Sequence, residues 1–157
     1  MRYVLVLALV FWSAMLSAAP TVVLEDITGK KQTLNDFDNK VTLVHFWATW
    51  CVPCRHELPQ LIKVAKVYAD KGLRLVLVAA DRRDDVKTYI EKQQIEVPVL
   101  IDQYGAALRQ YQVKGLPYTS IVDHTGEIVA NEQGAQDWQS HAMTTRLEGL
   151  LSRVVEK

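Results

Sequence analysis

The sequence has little cysteine and no excess of charge of either sign. Its two cysteines are too few for a small scaffold held together by disulfides or for a four-cysteine zinc site. Its 18 lysines and arginines balance 18 aspartates and glutamates, which argues against a nucleic-acid-binding protein because such proteins present a basic surface. Internal repeats and low-complexity tracts are also missing, and 49% of the 157 residues are apolar, which excludes a largely disordered chain. The composition predicts one domain with a hydrophobic core.

A long apolar run occurs only at the N-terminus. Residues 3–16 are almost wholly apolar, Arg2 precedes them, and three small residues follow. This order is typical of a secretory signal, and the run is shorter than the roughly 18 residues of a membrane-spanning helix. We expect cleavage near Ala18 or Ala19, with a preference for the position after Ala18, so that residues 1–19 approximate a signal peptide and residues 20–157 form the domain. An uncleaved anchor is the alternative, and in both cases the domain lies outside the cytoplasm.

Hydrophobic patterning predicts an α/β domain. Two mainly apolar runs, residues 41–47, interrupted only by Thr42 and His45, and residues 73–80, are typical of strands that are buried on both faces. The residues between them predict a helix with one apolar stripe, which Pro59 should kink. A strand–helix–strand order indicates a parallel pair, whereas a later hairpin signal indicates antiparallel strands, so we expect a mixed central sheet with helices on both faces. Further strands are predicted at 22–25, 32–33, 97–101, 118–122 and 127–130, and helices at 54–70, 84–93, 106–111 and 136–155.

The two cysteines, Cys51 and Cys54, form a C-x-x-C sequence directly after a predicted buried strand and at the start of a predicted helix. The N-terminus of a helix offers unpaired N–H groups and the positive end of the helix dipole, which stabilise a thiolate. Cys51 is the outer residue and should stay accessible, whereas Cys54 lies one turn further in and should be more buried. We therefore expect Cys51 to attack the sulfur of a partner and Cys54 to resolve the mixed disulfide.

Two other interpretations of the cysteine pair remain open. One is a structural disulfide, although the chain-entropy model gives it only roughly 2 kcal/mol for so short a loop. The other is a metal site, which would need further ligands from the four histidines of the chain. Because C-x-x-C at a strand–helix junction is typical of redox chemistry, we predict a redox-active disulfide and no metal.

The segment FWATWCVPCRHELP, residues 46–59, resembles the active-site segment of exported TlpA/ResA-like thiol–disulfide oxidoreductases, which have the thioredoxin fold. Two further segments are similar to the same family. Residues 22–34 resemble its extra N-terminal β-hairpin, and GLPYT, residues 115–119, resembles its cis-proline loop. The resemblance implies a thioredoxin fold, with a mixed central sheet flanked by helices on both faces and an additional N-terminal hairpin.

The resemblance also implies positions that bind the partner protein. Pro117 matches the cis-proline that faces the disulfide, where the cis bond exposes the backbone of Leu116 for pairing with an extended peptide. Trp50 matches the aromatic residue beside the nucleophile. Tyr118 stands where a threonine is usual, so we expect it to alter the partner groove. If the surrounding motif is disregarded, an ordinary turn proline is as good an interpretation of Pro117 as a cis-proline of the site.

Two further residues are candidates for proton transfer. Glu57 matches an acidic residue of the ResA-like branch and would share a helix face with Cys54, where it could shift thiol pKa values or accept a proton; a solvated glutamate is the alternative. His45 departs from the family, which has aspartate or asparagine there. Because imidazole titrates near neutrality, His45 is a candidate proton acceptor for Cys54, and a hydrogen-bonded core histidine is the alternative. On the first interpretation, His45→Ala slows resolution of the mixed disulfide.

These residues lead to the hypothesis of an exported thiol–disulfide oxidoreductase that reduces disulfides in partner proteins. The resemblance implies this direction, since TlpA/ResA-like proteins reduce partners that include apocytochrome c and are commonly recharged by a membrane electron donor. We expect no cofactor and no nucleic-acid partner. We also expect a monomer that is located in the periplasm or another extracytoplasmic space. The alternatives are a disulfide oxidase or isomerase, and a metal-binding or metal-delivery protein that uses Cys51 and Cys54.

Overall fold

The computed structural model describes residues 17–34 and 40–155. Four helices occur in these ranges: α1 (Val52–Tyr68), α2 (Arg83–Gln93), α3 (Ala106–Gln110) and α4 (His141–Val155), with a 3₁₀ turn (Ala69–Lys71) after α1. The strands are β1 (Ser17–Ala18), β2 (Val23–Asp26), β3 (Lys31–Thr33), β4 (Val41–Trp47), β5 (Leu73–Ala79), β6 (Val99–Ile101), β7 (Tyr118–Val122) and β8 (Glu127–Gln133). All eight belong to one sheet with the order β1-β8-β7-β4-β5-β6-β2-β3.

The centre of the sheet is a parallel arrangement of β4, β5 and β6, and the other neighbouring pairs are antiparallel. All seven residues of β4 are buried, and β5 is buried except for partial exposure at Arg74. Strands covered on both faces need no polar alternation, which is why both appear in the sequence as mainly apolar runs. The predicted mixed sheet is therefore confirmed.

Helices cover both faces of the sheet. Side chains of α1, α2 and α4 pack on one face, where they meet Leu43 and Trp47 of β4. On the other face α3 and Tyr111 pack against Val44 and Phe46 of the same strand. Because side chains alternate along a strand, His45 points to the face that α1 covers.

The N-terminal hairpin implied by the resemblance is present. β2 and β3 pair antiparallel, and β2 also pairs antiparallel with β6, with Glu25 opposite Ile101. Arg83 of α2 forms an ion pair with Glu25, and Leu24 is buried in the core on the α3 face. The hairpin therefore extends the sheet and covers the edge that β6 would otherwise expose.

The last helix begins later than the sequence predicts. The prediction placed it at 136–155, whereas α4 begins at His141. The Ser140 hydroxyl accepts a hydrogen bond from the Met143 N–H at 3.3 Å, as an N-cap residue does. Just before it, the Asp137 carboxylate accepts a hydrogen bond from the Gln139 N–H at 3.1 Å. These local side-chain bonds favour a turn over helix in this segment.

Other boundaries differ from the predictions by one to three residues. β8 runs three residues further than predicted, because its residues 130–133 pair with residues 118–121 of β7. β6 begins at Val99 rather than at 97, since Pro98 has no N–H to donate, although its carbonyl accepts a hydrogen bond from the Leu77 N–H at 2.9 Å. α1 begins at Val52, two residues earlier than predicted, and α2 begins one residue earlier.

Most of the predicted signal segment, residues 1–16, lies outside the described residues. β1 pairs antiparallel with β8 at the edge of the sheet, and the Ala19 N–H donates to the Gly126 carbonyl at 2.9 Å. The predicted cleavage position after Ala18 falls at the end of this short strand. Within the described ranges, no helix is both long enough and apolar enough to span a membrane.

Candidate active site

One end of the sheet collects the loops that carry the predicted site. β4 and β5 are parallel, so their carboxyl ends lie side by side, with Trp47 opposite Ala79. β7 runs antiparallel to β4, so its first residue, Tyr118, lies opposite Phe46 at the same end. The loop to the cysteines, the segment after β5 and the proline loop before β7 therefore meet at one edge, which is where α/β sheets commonly place active sites.

Cys51 and Cys54 are joined by a disulfide at the N-terminus of α1. Cys51 is the N-cap residue, and its Sγ accepts a hydrogen bond from the Cys54 N–H at 3.3 Å. Pro53 lies in the first turn, where its missing N–H costs no helical hydrogen bond. The outer sulfur therefore lies at the positive end of the helix, which stabilises the thiolate that reduction produces.

The two cysteines differ in exposure in the predicted order. Cys54 is 0% exposed and Cys51 is 5% exposed, so solvent reaches only the first residue of the pair. Cys51 is nevertheless largely buried in the disulfide form, so the roles of an attacking Cys51 and a resolving Cys54 stay predictions.

A cleft of about 410 Å³ adjoins the cysteine pair at Trp50, the residue before Cys51. Trp50 is 67% exposed and forms one part of the lining. Leu116 forms another, and the Leu116–Pro117 peptide bond is cis, as the resemblance implies. The remaining lining residues are Ala80, Asp102, Gln103, Gly105, Leu108, Val113, Lys114 and Gly115. The fold thus brings two of the predicted partner-binding residues, Trp50 and Leu116, into one cleft.

Tyr118, in contrast to Trp50 and Leu116, lies in the hydrophobic core. It is buried in the core on the α3 face, where its ring packs against Phe46 with the centroids 6.1 Å apart. Burial raises the pKa of the phenol. Tyr118 is not among the residues that line the cleft, so its effect on partner binding remains a prediction.

His45 is wholly buried in the centre of β4. Its Nδ1 forms a hydrogen bond of 2.9 Å with the Thr119 hydroxyl, and its Nε2 is buried without a hydrogen-bond partner among the described residues. Burial lowers the pKa of the imidazole to about 3, because a charged ring would lose its hydration there. His45 is therefore a neutral residue at physiological pH, and a much weaker base than its ordinary pKa near neutrality indicates.

Glu57 is buried on the core-facing side of α1, one turn after Cys54. Its Oε1 accepts a hydrogen bond from the indole N–H of Trp138, and its Oε2 is buried without a partner among the described residues. Burial raises the pKa of the carboxyl, while N–H groups from Trp138 and from the Gln136 backbone act in the opposite direction. Glu57 is therefore not the solvated glutamate of the alternative interpretation.

Asp81 is a site residue that the sequence reasoning missed. It follows β5, and its Oδ2 accepts hydrogen bonds from the backbone N–H and the hydroxyl of Thr49. Its Oδ1 accepts from the Arg82 N–H at 2.8 Å. Asp81 therefore anchors the turn that precedes Cys51. A polar residue at the carboxyl end of a buried parallel strand is the signal that could have indicated it.

The described residues contain no group of three or more histidine, cysteine, aspartate or glutamate side chains that is arranged to hold a metal ion. Both sulfurs of the C-x-x-C sequence are bonded to each other. What this geometry can do is form and break that disulfide, with Cys51 slightly exposed and Cys54 wholly internal.

Comparison with known proteins identifies relatives with the same chemistry. The family model described as AhpC/TSA family matches residues 15–131. The chain is 34% identical over 119 residues to thiol-disulfide oxidoreductase ResA of Bacillus thuringiensis subsp. konkukian, covering 75% of this chain and 69% of that protein. It is 39% identical over 114 residues to the thioredoxin-like protein YneN of Bacillus subtilis, covering 70% and 66%.

Solved structures agree with these relatives. A putative thiol:disulfide interchange protein DsbE from Chlorobium tepidum superposes with a TM-score of 0.80 at 28% sequence identity. The match covers 87% of this chain and 96% of that one. The architecture described above is therefore the thioredoxin fold, as the resemblance implied.

Proposed function

The chain belongs to the AhpC/TSA family and is a thiol–disulfide oxidoreductase, and on this premise we propose that it reduces disulfides of partner proteins outside the cytoplasm. The observation that carries the proposal is the Cys51–Cys54 disulfide at the N-terminus of α1, beside an open cleft. The two residues between the cysteines, Val52 and Pro53, add no positive charge that would stabilise a thiolate further. A less stabilised dithiol form is a stronger reductant, which favours this direction of electron flow.

The proposed reaction is two successive thiol–disulfide exchanges. The Cys51 thiolate attacks one sulfur of the partner disulfide, which forms a mixed disulfide and releases the other partner sulfur as a thiolate. The Cys54 thiol then loses its proton, and its thiolate attacks Cys51 Sγ. The second partner sulfur leaves, and the Cys51–Cys54 disulfide forms. Two electrons pass to the partner, whose two thiolates take up protons, and this enzyme becomes oxidised.

The second exchange needs a proton acceptor, because burial of Cys54 disfavours its thiolate. We propose Glu57 as that acceptor, with His45 as a second, weaker one. A base is stronger when the pKa of its conjugate acid is higher; burial raises the pKa of Glu57 but lowers that of His45 to about 3. Glu57 also shares the core-facing side of α1 with Cys54.

Partner recognition is proposed for the cleft beside the disulfide. The exposed indole of Trp50 and the side chain of Leu116 would contact apolar groups next to the partner cysteine. The backbone of Leu116, ahead of Pro117, would pair with the partner as an added strand does. Tyr118 would act on this groove from beneath, through its packing against Phe46.

The physiological setting follows from the N-terminal segment and the family. We propose export to the periplasm or an equivalent compartment, apocytochrome c among the partners, and reduction of the enzyme by a membrane-bound dithiol donor. We propose that the enzyme works as a monomer, and its balance of 18 basic and 18 acidic residues fits a protein partner rather than a nucleic acid.

Trapping with Cys54→Ser tests the function directly. The variant retains the attacking Cys51 but lacks the resolving thiol, so covalent complexes with partner proteins should accumulate in the exported fraction. Non-reducing electrophoresis followed by mass spectrometry identifies them, and cytochrome c precursors are the expected partners. Cys51→Ser is the matched control and should trap few or none. Better trapping by Cys51→Ser would contradict the assigned roles.

The direction of electron flow has its own measurement. Equilibration with defined glutathione redox buffers should give a reduction potential nearer to the value of about −270 mV known for thioredoxin than to the value of about −120 mV of the strongest oxidant of this fold. A potential at the oxidising end would identify a disulfide oxidase or isomerase instead.

A further inference from the structure

Trp138 is the one buried residue in the stretch 131–140, which otherwise lies at the surface. It sits between β8 and α4, in the segment where the sequence predicted helix and the structure has a turn. Its side chain is 0% exposed and belongs to the same core as Cys51 and Cys54. An indole that points inward from a surface turn contributes packing, and its buried N–H usually forms a hydrogen bond.

That N–H donates to Oε1 of Glu57. The indole nitrogen can only donate, so this oxygen must act as the acceptor, whatever the protonation state of the carboxyl. Oε2 of Glu57, in contrast, is buried and has no hydrogen-bond partner in the described part of the chain. The Trp138 bond thus holds one oxygen of a carboxyl on which the Gln136 backbone N–H also acts, and Oε2 is left able to bind and release a proton.

We infer that Trp138 is a positioning residue of the enzyme: its indole N–H holds Oε1 of Glu57 and leaves Oε2 as the oxygen that takes the proton of Cys54. The inference rests on the proposed role of Glu57 in resolving the mixed disulfide. Trp138 touches neither reacting sulfur in this scheme and acts only through Glu57.

Comparison with a second buried tryptophan distinguishes this positioning role from a role in packing alone. Trp47 is also 0% exposed and lies in the same core, where its ring packs against Tyr89 with the centroids 5.2 Å apart. Its Nε1 has no hydrogen-bond partner among the described residues. This core therefore accommodates a tryptophan without using its N–H, so the bond from Trp138 to Glu57 is not a general requirement of burying an indole here.

Resolution kinetics test the inference with Trp138→Phe, Glu57→Gln and the double variant, and Trp47→Phe is the matched control. A reduced enzyme that reacts with a coloured aromatic disulfide releases one thiolate when Cys51 attacks and a second when Cys54 resolves. We expect Trp138→Phe to slow the second release about tenfold, because the carboxyl loses the bond that orients it and this loss outweighs the higher pKa that Glu57 then has. In Trp47→Phe, the rate of the second release should stay within about twofold of the wild-type rate. In the double variant, this rate should equal that of Glu57→Gln alone.

The outcomes separate the inference from the proposed function. A normal second release in Trp138→Phe, with slow release in Glu57→Gln, would overturn the role of Trp138 and leave that of Glu57 in place. A normal second release in Glu57→Gln would overturn the proposed role of Glu57, and the inference with it. Additive effects in the double variant would show that Trp138 acts by another route and would also overturn the inference.

A spectroscopic measurement covers the case in which Trp138→Phe does not fold. In ¹⁵N-labelled protein, the Nε1–H resonance of Trp138 should move upfield in Glu57→Gln, because a neutral amide oxygen is a weaker acceptor than a carboxylate. The corresponding resonance of Trp47 should stay in place and serves as the internal reference. An unmoved Trp138 resonance would overturn the inference.

Discussion

Burial acts on the pKa values of His45 and Glu57 in opposite directions and favours the neutral form of each side chain. It lowers the pKa of His45 and raises that of Glu57, because each charged form would lose its hydration. Each side chain also keeps one polar atom without a partner among the described residues. The interior of the site therefore disfavours charge on both side chains.

The buried histidine predicts a specific loss of stability in acid. The folded-state pKa of His45, about 3, lies below its unfolded value of 6.5, so the unfolded chain binds the proton more readily. Its contribution to the free energy of unfolding is present above pH 6.5 and is lost as the pH falls towards 3. Urea denaturation across this window should show His45→Asn to be less acid-sensitive than the wild type by a few kcal/mol.

His56→Asn is the control for this experiment, since His56 is exposed on α1. It should follow the acid dependence of the wild type. If His45→Asn follows it as well, the buried imidazole does not control acid stability.

At the scale of elements, the two hairpins of the fold close with the same turn. The sequences DITGK, residues 26–30, and DHTGE, residues 123–127, share an aspartate, a threonine and a glycine at equal spacing. In each, one aspartate oxygen accepts from the backbone N–H of the threonine at 2.8 Å and from its hydroxyl at 2.6 Å. It also accepts from the N–H two residues further on at 3.1 Å. The glycines have φ of 90° and 86°, which other residues rarely adopt.

The shared turn predicts that Asp123→Ala weakens the β7–β8 hairpin. Removing an acceptor of three local hydrogen bonds should lower the free energy of unfolding by roughly 1–2 kcal/mol, measured by urea denaturation. Asp123→Asn should retain most of the stability, because an amide oxygen can form the same turn. Asp70→Ala, in the exposed 3₁₀ turn, is the control, and an equal loss in it and in Asp123→Ala would refute the role of the turn.

At the scale of the whole molecule, stability and redox state are linked through a single bond. Both cysteines of the chain lie in the active-site disulfide, so the domain has no other covalent cross-link. Its stability therefore depends on the two hydrophobic cores on either side of the sheet. A thiol–disulfide enzyme that acts as a reductant must be more stable when oxidised than when reduced, because the same energy difference sets its reduction potential.

Reduction should therefore leave the fold intact and lower its stability moderately. The chain-entropy model gives roughly 2 kcal/mol for a loop of this length, which corresponds to a drop of roughly 5–8 °C in the midpoint of thermal unfolding. Circular dichroism with and without excess dithiothreitol measures both the fold and the midpoint. A reduced form that is more stable than the oxidised form would contradict the reducing direction, and loss of secondary structure on reduction would show that the disulfide supports the fold.

Much of the fold could be predicted from local patterns. The strands β4 and β5 are mainly apolar runs, and the D-x-T-G sequence at 123–126 marks a hairpin, so their structures follow from short-range chemistry. The start of α4 could not be predicted in this way. Apolar periodicity continues backwards through the preceding turn, and only the capping bond to Ser140 shows where the helix begins.

The sequence by itself determined the redox site, because C-x-x-C after a buried strand and at the N-terminus of a helix brings two thiols and thiolate-stabilising N–H groups together within a few residues. What surrounds the site was decided only by the tertiary structure. Glu57 meets Trp138 across 81 positions of chain, and Thr49 meets Asp81 across 32. Such partners have no local signature, and neither does the burial that shifts the pKa of His45, since both arise when distant elements pack together and exclude water.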